Sequence, residues 1–242
     1  MKKKIIENLK TLFYALIIAF FIRSLFFQPF YIPSSSMEPN LLIGDRLFVT
    51  KFSYGYSRHS LPFSPKIFRN RIMGNFPQRG DVIVFKTPAD NRTDYIKRLI
   101  GIPGDTIQII NKELYLNDTQ IERKKIINST FITCGNVDVN VSFYEETLPN
   151  DKTYIAAYKK EGTMINTDQY IVPENHYFFM GDNRDCSKDS RFLSSVGYVN
   201  FENLVGKARI IFFSNNKKEA SFFKFWRWNK SLRIDRFFKE IK

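Results

Sequence analysis

The chain has 242 residues, 43% of them hydrophobic and 16% aromatic, with 25 Phe, a composition that excludes a disordered protein and allows a real core. Its formal net charge of +13 favours polyanionic surroundings, either nucleic acid or anionic lipid headgroups. Two cysteines and two histidines exclude a disulfide framework or a tetrathiolate zinc site and leave little scope for imidazole catalysis. Whether Cys134 and Cys186 pair is left open.

Lys2, Lys3, Lys4 and Lys10 precede an uninterrupted apolar run from Leu12 to Ile22, followed by Arg23, Ser24 and then Leu25, Phe26 and Phe27. Leu12 to Phe27 spans about 24 Å as a helix, and Ile5, Ile6 and Leu9 lengthen it toward a ~30 Å hydrocarbon core. A cleavable signal peptide is the rival reading, but the run leads into bulky residues, not an A-x-A-like cut site. A transmembrane anchor over residues 1–28 is therefore expected, with the lysines on the cytoplasmic side and the rest exported.

Gln28-Pro29-Phe30-Tyr31-Ile32-Pro33 must be extended, because two prolines forbid helix. Short β-type runs bounded by turn residues are predicted at Arg46–Phe52, Asp81–Lys86, Tyr95–Ile100, Thr106–Ile110, Glu113–Leu116, Tyr177–Met180 and Lys207–Phe213. The fold expected is mostly β. Residues 29–120 and 174–213 would form the two parts of an antiparallel β catalytic domain, with 121–173 inserted between them. The insertion is more polar. It alternates at Val139, Val141 and Phe143, which favours a small β subdomain over a long loop. The tail, 214–242, interleaves Phe222, Phe223, Phe225, Trp226, Trp228, Phe237 and Phe238 with cations, which suits a solvated basic end or a membrane interface.

Three stretches carry chemistry. Pro33-Ser34-Ser35-Ser36-Met37-Glu38-Pro39 lies a few residues beyond the anchor; on its own it is ordinary loop punctuation. In Asp94-Tyr95-Ile96-Lys97-Arg98-Leu99-Ile100-Gly101, alternation puts Lys97 on one face with Tyr95 and Leu99, while Ile96, Arg98 and Ile100 take the other. Alone, such a lysine would be read as snorkelling at a strand edge. Gly181-Asp182-Asn183-Arg184-Asp185-Cys186-Ser187-Lys188-Asp189-Ser190-Arg191 follows an apolar strand directly and lacks EF-hand spacing, so no metal site is expected.

Together, and in this order, these three stretches resemble the boxes of the type I signal peptidases, and Gly44-Asp45 and Arg79-Gly80-Asp81 are similar to that family's intermediate boxes. The resemblance runs from Arg23 to about Phe213. It implies a signal-peptidase-like fold and a membrane-bound serine endopeptidase that needs no cofactor and cuts exported preproteins after small residues. By position it implies Ser36 as nucleophile and Lys97 as general base. The Ser34 hydroxyl and Ser36 N–H would form the oxyanion hole. Ser187 would hydrogen-bond the lysine, Asp189 and Arg191 would support the site with Arg98 nearby, and Phe30, Ile32, Met37, Leu41 and Ile96 would line shallow substrate pockets. Ser35, Asn40 and Cys186 depart from common family choices without removing any of these groups. The implied location is the inner membrane, with lipid and preproteins as partners and no nucleic acid.

The implied chemistry is coherent. A serine hydroxyl is inert until a base takes its proton, and lysine can be that base only if burial lowers a pKa that starts near ~10.4. Rival readings are a self-cleaving repressor using the same pair, which would need a DNA-binding segment where the anchor stands, and a noncatalytic tethered β domain. The mitochondrial inner-membrane peptidases share the chemistry and are not separated by these motifs.

Overall fold

The computed structural model describes all residues except 1, 62–63, 66–69, 136, 160–161, 163 and 217–230. It opens with α1 (Lys2–Leu25), whose apolar side chains face outward on every side, among them Leu12, Phe13, Leu16 and Phe21. Among its described residues only Ser24, near its end, is buried against the protein, and a surface apolar all round suits hydrocarbon; the helix is long and apolar enough to cross a membrane. Phe26 and Phe27, expected in the anchor, lie beyond the helix, and β1 begins at Phe27.

Among the described residues fifteen strands follow. β1 (Phe27–Tyr31), β2 (Asp45–Thr50), β3 (Val82–Lys86) and β4 (Asp94–Gly101) lead to β5 (Thr106–Ile110), β6 (Glu113–Leu116) and β7 (Thr119–Gln120). Next come β8 (Glu122–Cys134), β9 (Val137–Thr147), β10 (Thr153–Lys159) and β11 (Tyr170–Ile171). β12 (His176–Met180), β13 (Val199–Asn200), β14 (Leu204–Ser214) and β15 (Lys239–Glu240) close the chain. The main sheet runs β1-β2-β14-β3-β4-β12-β13 with β15 added to β14, and all its pairings are antiparallel. β5, β6 and β7 pair with β11 in a second sheet, and β8, β9 and β10 form a third.

Alternation sorts the side chains of the central strands between separate cores. Val82 and Val84 join Ile32, Met37, Leu41, Leu47 and Val49, whereas Ile83 and Phe85 join Leu99, Phe179 and Leu204. Turn chemistry fixes the ends. Gly44 has φ +99 and brings its backbone so close to Asn215 that a Cβ would lie 1.8 Å from that carbonyl oxygen. Asp45 beside it is fully buried and accepts from Ser214 Oγ at 2.6 Å and from Arg236 at 2.6 and 3.0 Å. That grip docks residues 231–242 onto the sheet, where Ile241 joins the core and Phe237 packs against Phe213. The described end of the tail is thus anchored on the protein through Ser231, Arg236 and Ile241, while Ile234 and Phe238 remain exposed. Phe222, Phe223, Phe225, Trp226 and Trp228 lie outside the described residues.

A disulfide joins Cys134, at the end of β8, to Cys186, across 52 residues of chain.

Candidate active site

Two strands bring the site together. In β4, Lys97 stands opposite Ile83 of β3, and Arg98 stands opposite Met180, the last residue of β12. The loop from Gly181 to Arg191 therefore leaves the sheet beside Lys97. The serine segment arrives from the other side, after β1, held where Ile32 N–H donates to Asp45 O at 2.9 Å and Gly44 N–H to Ile32 O at 3.0 Å. Loop and serine segment are then clamped together. Asn183 N–H donates to Ser36 O at 3.1 Å, and Asn183 Nδ2 donates to Ser35 O at 3.1 Å.

Lys97 Nζ lies 2.7 Å from Ser36 Oγ and donates to the Ile96 carbonyl at 2.9 Å. Both side chains are buried, Lys97 at 4% and Ser36 at 7% exposure. Burial lowers the Lys97 pKa to about 8; the Asp189 and Asp182 carboxylates oppose that fall and Arg191 assists it. The Tyr95 ring, 5.3 Å from Nζ, forms part of the wall. Ser34 Oγ is 3.3 Å from Ser36 Oγ, and the Ser36 N–H donates to no backbone acceptor among the described residues. A hydroxyl, an adjacent amine of lowered pKa, a neighbouring hydroxyl and a backbone N–H with no backbone acceptor at one point form a set able to carry out acyl transfer.

Around this pair stand three buried ion pairs. Asp189 takes Arg191 Nε and Nη2 at 2.8 Å each and the Gly181 N–H at 2.9 Å, which outweighs burial and keeps its carboxyl pKa low. Asp182 takes Arg98 through two bonds of 2.7 Å. Arg184 is held by Glu146 of β9 at 2.6 and 3.0 Å, with Tyr154 and Tyr158 completing the contact. Such pairs fix geometry more than they add net stability.

A cleft of about 430 Å³ opens over Ser36 and Lys97, lined by Phe30, Ile32, Val84 and Ile96 among others. Of the five residues expected to line substrate pockets, Phe30, Ile32 and Ile96 do so. Met37 and Leu41 do not: both are fully buried in the core beneath, with Leu47 and Val49. Their full burial stabilises the fold by roughly 1.5–3 kcal/mol each, which explains apolar residues beside the serine without any contact to a ligand. Ser187 also differs from its expected part. Its Oγ is buried and forms no hydrogen bond of ordinary geometry to Lys97 or to any other described residue, although it lies near enough to Asp189 to help hold that pKa down.

The sequence did not single out Gly181, Asp182, Asn183 or Asn40 as positioning groups. A Cβ on Gly181 would sit 2.2 Å from Ser187 Oγ and 2.5 Å from Ser36 O, so only glycine lets the two serine segments close. Asn40 Nδ2 ties Asp182 Oδ2 to the Ile155 carbonyl, 2.7 Å to each. The signal was present in the polar run after an apolar strand, but nothing in it told which polar groups face inward. Among the described residues no cluster of His, Cys, Asp and Glu could hold a metal ion.

The family model "Signal peptidase, peptidase S26" matches residues 5–213. The chain belongs to this signal peptidase family. Signal peptidase I of Rickettsia typhi is 39% identical over 257 residues, covering 99% of this chain and 95% of that protein. Signal peptidase I of Rickettsia massiliae is 41% identical over 246 residues, covering 94% and 90%. A signal peptidase I structure from Enterococcus faecalis V583 aligns with 55% of this chain and 97% of its own at 25% identity, with a TM-score of 0.32, too low an overlap to argue from. The chain is thus a hydrolase of the signal peptidase I type, mostly β, and its apolar N-terminal helix is consistent with membrane anchoring.

Proposed function

We propose that this signal peptidase is a membrane-bound serine endopeptidase that removes N-terminal signal peptides from exported preproteins after small residues. Ser36 is the nucleophile and Lys97 the general base. The observation that carries the reading is the 2.7 Å approach of Lys97 Nζ to Ser36 Oγ in a buried setting. With a pKa of about 8, roughly a tenth of the amine is neutral at pH 7, enough to act as a base without imidazole.

The steps follow from the geometry. Neutral Lys97 takes the Ser36 proton as Oγ attacks the scissile carbonyl. Ser34 Oγ–H and the Ser36 N–H receive the oxyanion, each such donor being worth about 3–4 kcal/mol in related chemistry. The Lys97 ammonium then protonates the leaving amine, and the neutral amine left behind activates water to hydrolyse the acyl ester. Asp189, Arg191 and Arg98 keep the walls of the site in place, and Ser187 packs against Gly181 at its edge. Phe30, Ile32 and Ile96 offer a shallow apolar floor that suits small side chains.

In this reading residues 1–28 are cytoplasmic N-terminus and anchor, 29–120 and 174–213 the catalytic β domain, and 121–173 an inserted β unit, with 214–242 as a tail. The N-terminal lysines put the catalytic domain outside the inner membrane. Two-dimensional confinement with membrane-held preproteins raises their effective concentration. The test is incubation of detergent-solubilised protein with a preprotein. Ser36→Ala, Lys97→Ala and Lys97→Arg each abolish cleavage while membrane insertion persists, because guanidinium cannot deprotonate; activity surviving in any of the three refutes the assignment.

A further inference from the structure

A second, larger cleft of about 840 Å³ opens at the foot of α1, between Arg23, the segment from Lys51 to Leu61 with Ser64, and the turn from Lys86 to Asp94. Its walls carry five cations, Arg23, Lys51, Arg58, Lys86 and Arg92, against two carboxylates, Asp90 and Asp94. Both carboxylates are already engaged. Asp90 accepts from Thr87 Oγ1 at 2.6 Å and from the N–H groups of Arg92 and Thr93 within its own turn, and Asp94 pairs with Lys86 at 2.9 Å. His59 adds no charge, since burial and then the Arg58 cation push its pKa down to about 4; its Nε2 accepts from Arg58 Nε at 3.1 Å.

Lys51 is the unusual member. It is 2% exposed, its ammonium donates to the Ser60 carbonyl, and it pairs with no carboxylate among the described residues. Burial, and next the neighbouring Arg23, lower its pKa to about 8. Gathering cations around a buried amine costs stability unless an anion joins them.

The level of this cleft is fixed by the anchor. Tyr56 Oη donates to Leu25 O at 2.9 Å, and the Lys51 N–H donates to Phe26 O at 3.1 Å. Phe26, Phe27 and Phe52 are exposed at the same level, with Phe27 and Phe52 packed edge to face at 5.9 Å. Exposed rings and a cationic hollow side by side match the boundary of a bilayer, where rings settle at the interface and phosphates attract cations.

We propose that this cleft binds the phosphate of an anionic phospholipid headgroup, with Lys51, Arg58 and Arg92 drawing in the phosphate oxygens. The proposal rests on the reading of α1 as a membrane anchor. Asp94 lines both this cleft and the one over Ser36, so a bound headgroup would sit at the threshold of the catalytic groove.

The test titrates the detergent-solubilised full chain with phosphatidylglycerol, read by native mass spectrometry, with inorganic phosphate as competitor. Wild type retains one lipid that matched inorganic phosphate fails to displace. Arg58→Gln/Arg92→Gln weakens retention about twenty-five-fold, each near-surface cation contributing about fivefold. The exposed single variant Arg92→Gln shows the fivefold step alone and covers the case of a double variant that misfolds. Equal retention by variants and wild type overturns the site, and so does inorganic phosphate binding as tightly as the lipid, which would make it a free-anion site. Carbonate extraction from vesicles separates the two readings: release of wild type refutes the anchor, whereas a carbonate-resistant chain without the arginine dependence refutes only the headgroup site.

Discussion

Asp182 grips Arg98 through both carboxylate oxygens, at 2.7 Å to Nε and 2.7 Å to Nη2, with both side chains almost wholly buried. The same Asp182 is reached by Asn40 from the segment after Ser36, so one carboxylate joins the strand of the lysine to the loop of the serine. Asp182→Ala leaves a guanidinium buried without its counter-ion and is expected to cost about 3–5 kcal/mol. Urea denaturation of the solubilised protein measures it; a loss under 1 kcal/mol would mean that the pair does not hold the site.

Activity should rise with pH through about 8, as Lys97 loses its proton. Stability runs in the same direction. The folded pKa lies below the unfolded one, so the unfolded chain binds the extra proton between about 8 and 10.5, and stability rises with pH across that window. Lys97→Met removes the desolvated amine and so stabilises the inactive protein by up to about 3 kcal/mol at pH 7, the gain fading as pH rises from about 8 to 10.5. Melting curves of both proteins against pH decide the point; an unchanged gain at high pH would contradict the assignment.

Gly181→Ala should damage catalysis more than folding. The added methyl meets Ser187 Oγ at 2.2 Å and Ser36 O at 2.5 Å, and the serine backbone must move. Overpacking costs about 1–3 kcal/mol, while a misplaced nucleophile loses about a hundredfold in rate. Comparing kcat with Tm for this variant separates the two effects.

Reduction of the Cys134–Cys186 bridge frees a 52-residue loop and should lower stability by about 4 kcal/mol on chain-entropy grounds. Urea midpoints with and without reductant measure it, and Cys134→Ser/Cys186→Ser should match the reduced protein. A midpoint indifferent to reductant would show that the β8–β9 hairpin is held by other contacts.

Met37→Ala and Leu41→Ala should cost about 2–5 kcal/mol each and leave cleavage-site preference unchanged, because neither side chain reaches the cleft. Ile96→Ala should do the reverse, admitting larger substrate residues with little loss of stability. Profiling cleavage products of a substrate library tests both.

The strands of the main sheet were legible because their alternation and turns are local: Asp81–Lys86, Tyr95–Ile100 and Tyr177–Met180 agree with β3, β4 and β12 to within one residue at each end. The long hairpin β8–β9 was half visible. Val139, Val141 and Phe143 alternate, but β8 carries Lys124, Lys125, Asn128 and Ser129, whose polarity hides a strand stabilised by pairing along its length. In the candidate site, Ser36 and Lys97 are singled out through resemblance, since neither serine nor lysine announces itself by type. Met37 and Leu41 were misassigned because an apolar residue beside a nucleophile has the same sequence signature in a pocket wall as in a core. Whether Cys134 and Cys186 bond is not legible in the sequence, because the distance between β8 and the loop after β12 is set by tertiary geometry.

The helix ends at Leu25 and β1 begins at Phe27, with Tyr56 and Lys51 bonded to the carbonyls between them. There is no slack tether at that junction. On the proposed reading of α1 as a membrane anchor and Ser36 as nucleophile, the serine stands at one altitude above the membrane plane, and a passing polypeptide would be severed where its own extended chain climbs to that altitude. Selection of the scissile bond then becomes a measurement of height as much as a reading of side chains, and lengthening the junction by a few glycines would shift the cut along the substrate.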